Sequence, residues 1–257
     1  MDALLRGNPE PLALLEQIRC TDMHAFVASA WSAFRQRVIE KPEPERRALL
    51  CAAISHFAER LCLNAGEDSA VLDIARVHTR GDHLYSTSGH SIWFAPAGFS
   101  YELQLYSQGD TQLSTPRRVK VTPQAPLLVE GGLTVVDACP AQTDGHLVFS
   151  INLPISGSDI QVFERKSLSR IAWFPADSEV PRYLLLLEAL ASIGDPGLER
   201  VAGELIYHHH PAVRWRAFLQ LMRFTPEHLE HYCEMLNGLE DPGLRLMLSD
   251  YMARNCA

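Results

Sequence analysis

Apolar positions along the 257 residues change their period twice, which divides the chain into three zones. In the first, residues 1–69, Leu12, Leu14, Leu15 and Ile18 fall at helical spacing, and Phe26, Val27, Ala30, Phe34 and Val38 do so again. Lys41-Pro-Glu-Pro-Glu then opens a third helix: proline suits a first helical turn, and glutamates favour the positive end of the helix dipole. That helix is expected to carry Leu49, Leu50, Ala53, Ile54 and Phe57 on one side, with Asn64-Ala-Gly-Glu-Asp-Ser closing the zone as a turn.

From residue 70 to residue 175 the period shortens to two. Phe99, Tyr101, Leu103 and Leu105 alternate with Ser100, Glu102, Gln104 and Tyr106, the pattern of a half-buried strand. Further strand runs are expected at 90–95, 117–122, 126–130, 133–138, 146–153 and 159–164. Turn clusters rich in Gly, Asp and Gln separate them, which predicts an antiparallel β-sandwich or barrel rather than a parallel sheet with crossover helices.

The last zone, 176–257, returns to a helical period with a regular beat. Prolines at 181, 196, 211, 226 and 242 each precede an apolar segment of about a dozen residues. Asp195, His210, Thr225 and Asp241 stand immediately before four of them, and Asp and Thr are good N-caps. The beat predicts short antiparallel helices joined by tight turns. The stretch Asp195-Pro-Gly-Leu through His210-Pro-Ala-Val-Arg-Trp-Arg-Ala217 resembles HEAT-type helical repeats, and Asp241-Pro-Gly-Leu repeats its first phrase. That resemblance implies helices stacked to expose a face for a protein or peptide partner. The expected fold is therefore α+β: a helical N-terminal part, a central antiparallel sandwich or barrel, and a C-terminal HEAT-like domain.

The strand-rich zone resembles the cupins in its histidines: His78, His83 and His90 come early and His146 late, with Glu102 between them. A cupin metal site uses a His-x-His, a following Glu and a later His. Here the early spacings are five and seven, so the family pattern is not reproduced. What the resemblance implies is a divalent metal, such as Fe or Zn, held by His78, His83, His90, His146 and Glu102. It would serve an oxygenase or isomerase type of chemistry. By alternation His146 shares a face with Val148, Ser150 and Asn152.

Other candidate groups have plainer explanations. His208-His-His210 cannot all face one ion on regular structure and are expected to form a solvated turn. His228 and His231 share a helix face at i and i+3 and are expected to lie on a polar outer surface. Trp215, Phe218, Leu219, Leu221 and Met222 have the spacing of a core stripe. Arg182, Arg200, Arg214, Arg216 and Arg223 are the main cations of a zone without lysine. Arginine suits bidentate contact with carboxylates, so these five are the candidate partner-binding residues, with pairing between stacked helices as the alternative. Neither a nucleophile elbow, a phosphate loop, HExxH nor GxGxxG is present.

Composition narrows the partners. The net charge of −8 and the absence of any basic zone argue against nucleic acid. The apolar run Tyr183 to Leu187 is interrupted by Glu188, no apolar window approaches a bilayer span, and no signal-peptide pattern opens the chain. Six scattered cysteines without a CxxC spacing suit a reduced cytoplasmic protein. Two function classes remain: a non-catalytic binding or adaptor protein working through its helices and β-domain, and a metal-dependent cupin-like enzyme.

Overall fold

The computed structural model describes residues 5, 9–55, 60–63, 70–77, 81–138, 146–153, 159–175, 179–238 and 241–255. Three helices lead: α1 (Pro11–Cys20), α2 (Met23–Glu40) and α3 (Glu43–Ala53). Asp22 caps α2, its Oδ1 accepting from the His24 and Ala25 N–H groups at 3.0 and 3.1 Å. This satisfies donors that the first helical turn leaves without a partner. The third helix stops earlier than its apolar pattern suggests. Ile54 turns extended and pairs with Leu61, so β1 (Ile54–Ser55) and β2 (Arg60–Cys62) replace the expected last helical turn. Phe57 lies outside the described residues.

The remaining strands are β3 (Val71–Val77), β4 (His83–Tyr85), β5 (Ser91–Phe94), β6 (Tyr101–Ser107), β7 (Arg117–Val121), β8 (Leu127–Val129), β9 (Thr134–Asp137), β10 (His146–Asn152), β11 (Ile160–Glu164) and β12 (Arg170–Phe174). Seven of these fall on the runs read from alternation. The chain divides into two compact units, residues 1–108 with 114–158 and residues 109–113 with 159–257. The first holds a six-stranded antiparallel sheet in the order β1-β2-β3-β10-β5-β8 and a three-stranded sheet in the order β7-β6-β9. Among the described residues these sheets do not close into a barrel.

One core fills this unit. Leu14, Ile18, Phe26 and Phe34 from the helices, Leu72, Ile92, Phe94 and Ile151 from the large sheet, and Leu103 and Val121 from the small one all belong to it. Tyr101 braces the two sheets. Its hydroxyl lies 2.7 Å from the Phe94 carbonyl oxygen and 2.9 Å from that of Phe149, donating between them. Burial pushes its pKa up.

The second unit carries β11 and β12, paired antiparallel, with five helical segments. The boundary expected at residue 175 thus moves upstream, because the last two strands cohere with the helices. The segment 109–113 joins them: Arg170 N–H donates to the Thr111 carbonyl and Leu113 N–H to that of Leu168, both at 2.9 Å. The helices are α4 (Val180–Ile193), α5 (Leu198–Leu205), α6 (Pro211–Phe224), a 3₁₀ turn at Pro226–His228 with α7 (Leu229–Asn237), and α8 (Pro242–Asn255). All five begin at or within two residues of a proline of the beat. Gly194, at φ +64°, ends α4 in the left-handed conformation that glycine adopts without penalty. Leu187, Ala202, Phe218, Leu221, Leu236 and Leu244 form the core. The unit is helical as expected; a HEAT-type repeat geometry is not established by it. No helix among the described residues is long and apolar enough to cross a membrane.

Candidate functional site

The five residues of the cupin-like metal set can be placed one by one. His78 lies outside the described residues. His83 is exposed on β4, and Glu102 is exposed on β6, opposite Lys120 of β7. His90 precedes β5, and its Nδ1 accepts from the Gly131 N–H at 3.2 Å. His146 opens β10, where its ring lies 6.3 Å from that of Tyr101, and its Nε2 is buried without a hydrogen-bond partner among the described residues.

Register separates the two internal histidines. Asn152 pairs with Ser91, the residue after His90, whereas His146 lies six positions earlier on β10. At the rise of a strand, their backbones are about 20 Å or more apart, while two ligands of one ion each lie about 2 Å from it. Glu102 follows Tyr101 on β6, and alternation sends it to the face opposite the one that meets His146. Among the described residues His83, His90, His146 and Glu102 do not converge, and no group of three or more His, Cys, Asp or Glu is placed to hold a metal.

The large sheet instead gathers a polar cluster that spacing did not reveal. Asp73 of β3 faces Cys62 on β2 and Ser150 on β10. Its carboxylate is 3% exposed, with the Arg60 guanidinium 2.5 Å from Oδ2, and it accepts from the Asn152 amide. Burial, with Asp73 beside it, pushes the Cys62 thiol up to about 11. A thiol held neutral is a poor nucleophile and a poor metal ligand, so the cluster is built for packing a buried charge rather than for reactivity. Cys20, Cys51 and Cys62 are free thiols.

In the helical unit the caps account for much of the polar chemistry. Asp195 Oδ1 accepts from Gly197 N–H, and Asp241 Oδ1 from Leu244 N–H, both at 2.7 Å. Thr225 departs from expectation: its hydroxyl donates back to the Leu221 carbonyl and so ends α6 instead of starting the next turn. The three histidines are not a uniformly solvated turn. His209 is exposed, but His208 packs 4.8 Å from the Tyr183 ring, and His210 is buried. His210 Nδ1 accepts from Ala212 N–H at 3.2 Å, capping α6, and its Nε2 sits 2.8 Å from Asp159 Oδ2, without the alignment of a straight hydrogen bond. His228 and His231 are both exposed. Phe218, Leu221 and Met222 are buried and Trp215 and Leu219 half-buried, as a core stripe requires.

Four of the five candidate arginines are engaged inside the unit. Arg216 reaches Glu188 at 2.7 Å, linking α6 to α4. Arg200 lies 3.4 Å from Glu204, one helical turn on. Arg214 donates to the His208 carbonyl, and Arg223 to Gln220 at 3.2 Å. Arg182, exposed in the first turn of α4, has no ion-pair partner among the described residues.

Arg182 stands at one end of an apolar stripe. Helix α4 turns Val180, Tyr183, Leu184, Leu187 and Leu190 inward, at the spacing of a buried face. On its outer face lie Arg182, Leu185, Leu186, Ala189 and Ile193, with Leu185, Leu186 and Ile193 exposed by 64%, 44% and 73%. At 100° per residue these five fall within about a third of the helix circumference. The signal was present in the sequence: five consecutive apolar residues, Tyr183 to Leu187, more than encircle a helix, so some had to point outward. Asp73, Arg60 and Cys62 gave no such signal, because only strand pairing brings them together.

No family model matches the sequence, and no curated protein matches it. Solved structures with some likeness exist, and three of them, each at low similarity, show its kind. One is an uncharacterized conserved protein with a double-stranded β-helix domain from Klebsiella pneumoniae: 13% identity, 45% of this chain and 95% of that one covered, TM-score 0.31. Another is an RmlC-like cupin protein from Ralstonia eutropha, at 14% identity, with 47% and 66% covered and TM-score 0.26. A third is hydroxypropylphosphonic acid epoxidase from S. wedmorenis in complex with fosfomycin, at 14% identity, with 37% and 50% covered and TM-score 0.27. The likeness is to double-stranded β-helix and cupin proteins, and at these scores it fixes neither the fold nor the chemistry of this chain.

Proposed function

We propose that the chain is a non-catalytic binding protein that docks a protein or peptide partner through its C-terminal helices. The observation that supports this reading is the outward stripe of α4, where three large aliphatic side chains stand in water side by side. Burying one such side chain fully contributes about 1.5–3 kcal/mol, so covering three offsets much of the cost of association. Arg182 at the end of the stripe is the arginine of the candidate set that remains available to a partner's acidic group.

Capture experiments with the full chain test it. The wild type and a Leu185→Asp/Ile193→Asp variant of matched folding are used as bait, and the recovered proteins are compared quantitatively. The reading requires recovery that drops at least tenfold in the variant; identical recovery from both baits refutes it.

A second reading, a metal-dependent enzyme with Fe or Zn in the β-unit, draws on one feature: the buried, unpartnered Nε2 of His146. Elemental analysis of the purified chain beside His146→Ala tests it. Stoichiometric metal that His146→Ala loses supports that reading. Metal-free protein whose melting temperature no added divalent ion raises removes it.

A further inference from the structure

We infer that the partner on the α4 stripe is a second copy of this chain, bound antiparallel so that two α4 helices pair about a two-fold axis. The inference rests on the docking role proposed for this stripe and names its occupant.

A two-fold contact must be self-complementary, each patch meeting its own image. The stripe meets that requirement in shape. With the axis near the middle of α4, Leu185 of one copy falls opposite Ala189 of the other, and Ala189 opposite Leu185. A large side chain therefore meets a small one twice, and the helices can approach closely. Leu186 and Ile193 flank that pair on the same third of the helix surface.

Charge points the same way. Arg182 occupies the first turn of its own helix, where the dipole is positive and a cation is disfavoured. Its guanidinium has no ion-pair partner among the described residues. In the antiparallel pair it comes beside the other copy's α4 C-terminus, where the helix dipole is negative, and near Asp195, which follows Gly194. Both ends of the pair gain this interaction at once. A parallel arrangement would set the two Arg182 side chains against each other, and an arbitrary partner would not supply the matching end.

Size sets the expected strength. A 14-residue helix is about 21 Å long, too short to bury by itself the roughly 800 Å² per partner of a standard stable interface. The expected dimer is therefore weak, with a dissociation constant on the order of 10 μM.

Sedimentation equilibrium of the full chain from about 1 to 200 μM tests the inference. Expected is a reversible monomer–dimer equilibrium. The dissociation constant should rise at least tenfold in Leu185→Asp/Leu186→Asp and several-fold in Arg182→Glu. The Arg182→Glu effect should shrink in 0.5 M salt, as screening requires. Circular dichroism melts of the variants control for folding, and Ala189→Leu provides an independent lesion: it fills the small position and should weaken the dimer without adding charge. A monomer throughout the range, or a dimer that none of these substitutions weakens, overturns the second-copy assignment. If the chain is monomeric yet the stripe variants still lose captured protein, the docking reading stands with a different occupant. If neither self-association nor capture depends on the stripe, both fall.

Discussion

Adding one methyl group at Gly243 should destabilise the helical unit, although glycine-to-alanine changes in helices ordinarily stabilise. Gly243 lies in the first turn of α8, and a Cβ there would come closer than 3.0 Å to the Arg170 guanidinium. That group is the far end of a flexible side chain but has little freedom, since Arg170 is 7% exposed. It donates to Gln161 at 2.9 Å and lies 5.5 Å from the Trp173 ring, with Asp241 at 4.0 Å. Burial lowers the Arg170 pKa, and the Asp241 and Asp110 carboxylates oppose that shift. Displacing the guanidinium costs about 1.5–3 kcal/mol for a charge-assisted hydrogen bond and about 0.5–1 kcal/mol for the cation–π contact. The gain in helix propensity is at most about 1 kcal/mol, so the net destabilisation is about 2 kcal/mol. Urea denaturation of the full chain followed by helical circular dichroism measures it. Arg170→Met supplies the decisive comparison: with no guanidinium to displace, Gly243→Ala should become neutral or stabilise slightly. An equal cost of Gly243→Ala in both backgrounds would refute the close-packing argument.

Three further outcomes rest on the same kind of reasoning. At pH 8 a thiol of pKa 9.0 is about one-tenth ionised, and one raised to about 11 is about one-thousandth ionised. Cys62 should thus alkylate about a hundredfold more slowly than an unperturbed thiol. Mass spectrometry should find exposed Cys20 and Cys51 modified first, with Asp73→Asn accelerating Cys62; equal rates at all three would contradict this. Because the Cys62 pKa is raised by folding, its contribution to stability is complete below pH 9 and declines as the pH climbs through 11. Replacing His210 by Ala removes the α6 cap and should cost about 1 kcal/mol, while His210→Asn, which restores an acceptor for Ala212 N–H, should recover part of it. An unchanged urea midpoint in His210→Ala would show that the cap carries no weight.

Local chemistry decided a good deal of this protein without help from the fold. A proline near the start of each C-terminal helix fixes φ where a missing N–H does no harm, so five helical segments were readable to within a few residues. Alternation placed β6 for a similar reason, since Tyr101, Leu103 and Leu105 are buried while Glu102 is exposed; β5 and β10 were legible instead as short apolar runs, buried on both faces. Where local and distant preferences compete, the sequence alone misleads. Ile54 continues the helical stripe of α3, but its β-branched side chain enters a strand because Leu61 offers a partner. The histidines suggested a metal centre because their residue type suits one; pairing Ser91 with Asn152 then set His90 and His146 at opposite ends of the sheet. The Asp73, Arg60 and Cys62 cluster, and the guanidinium that Gly243 makes room for, exist only through contacts between strands and helices distant in sequence. Helix starts and strand faces depend on the neighbours within a few residues, which the sequence supplies. Convergence of side chains depends on register and packing, and those the tertiary structure decides.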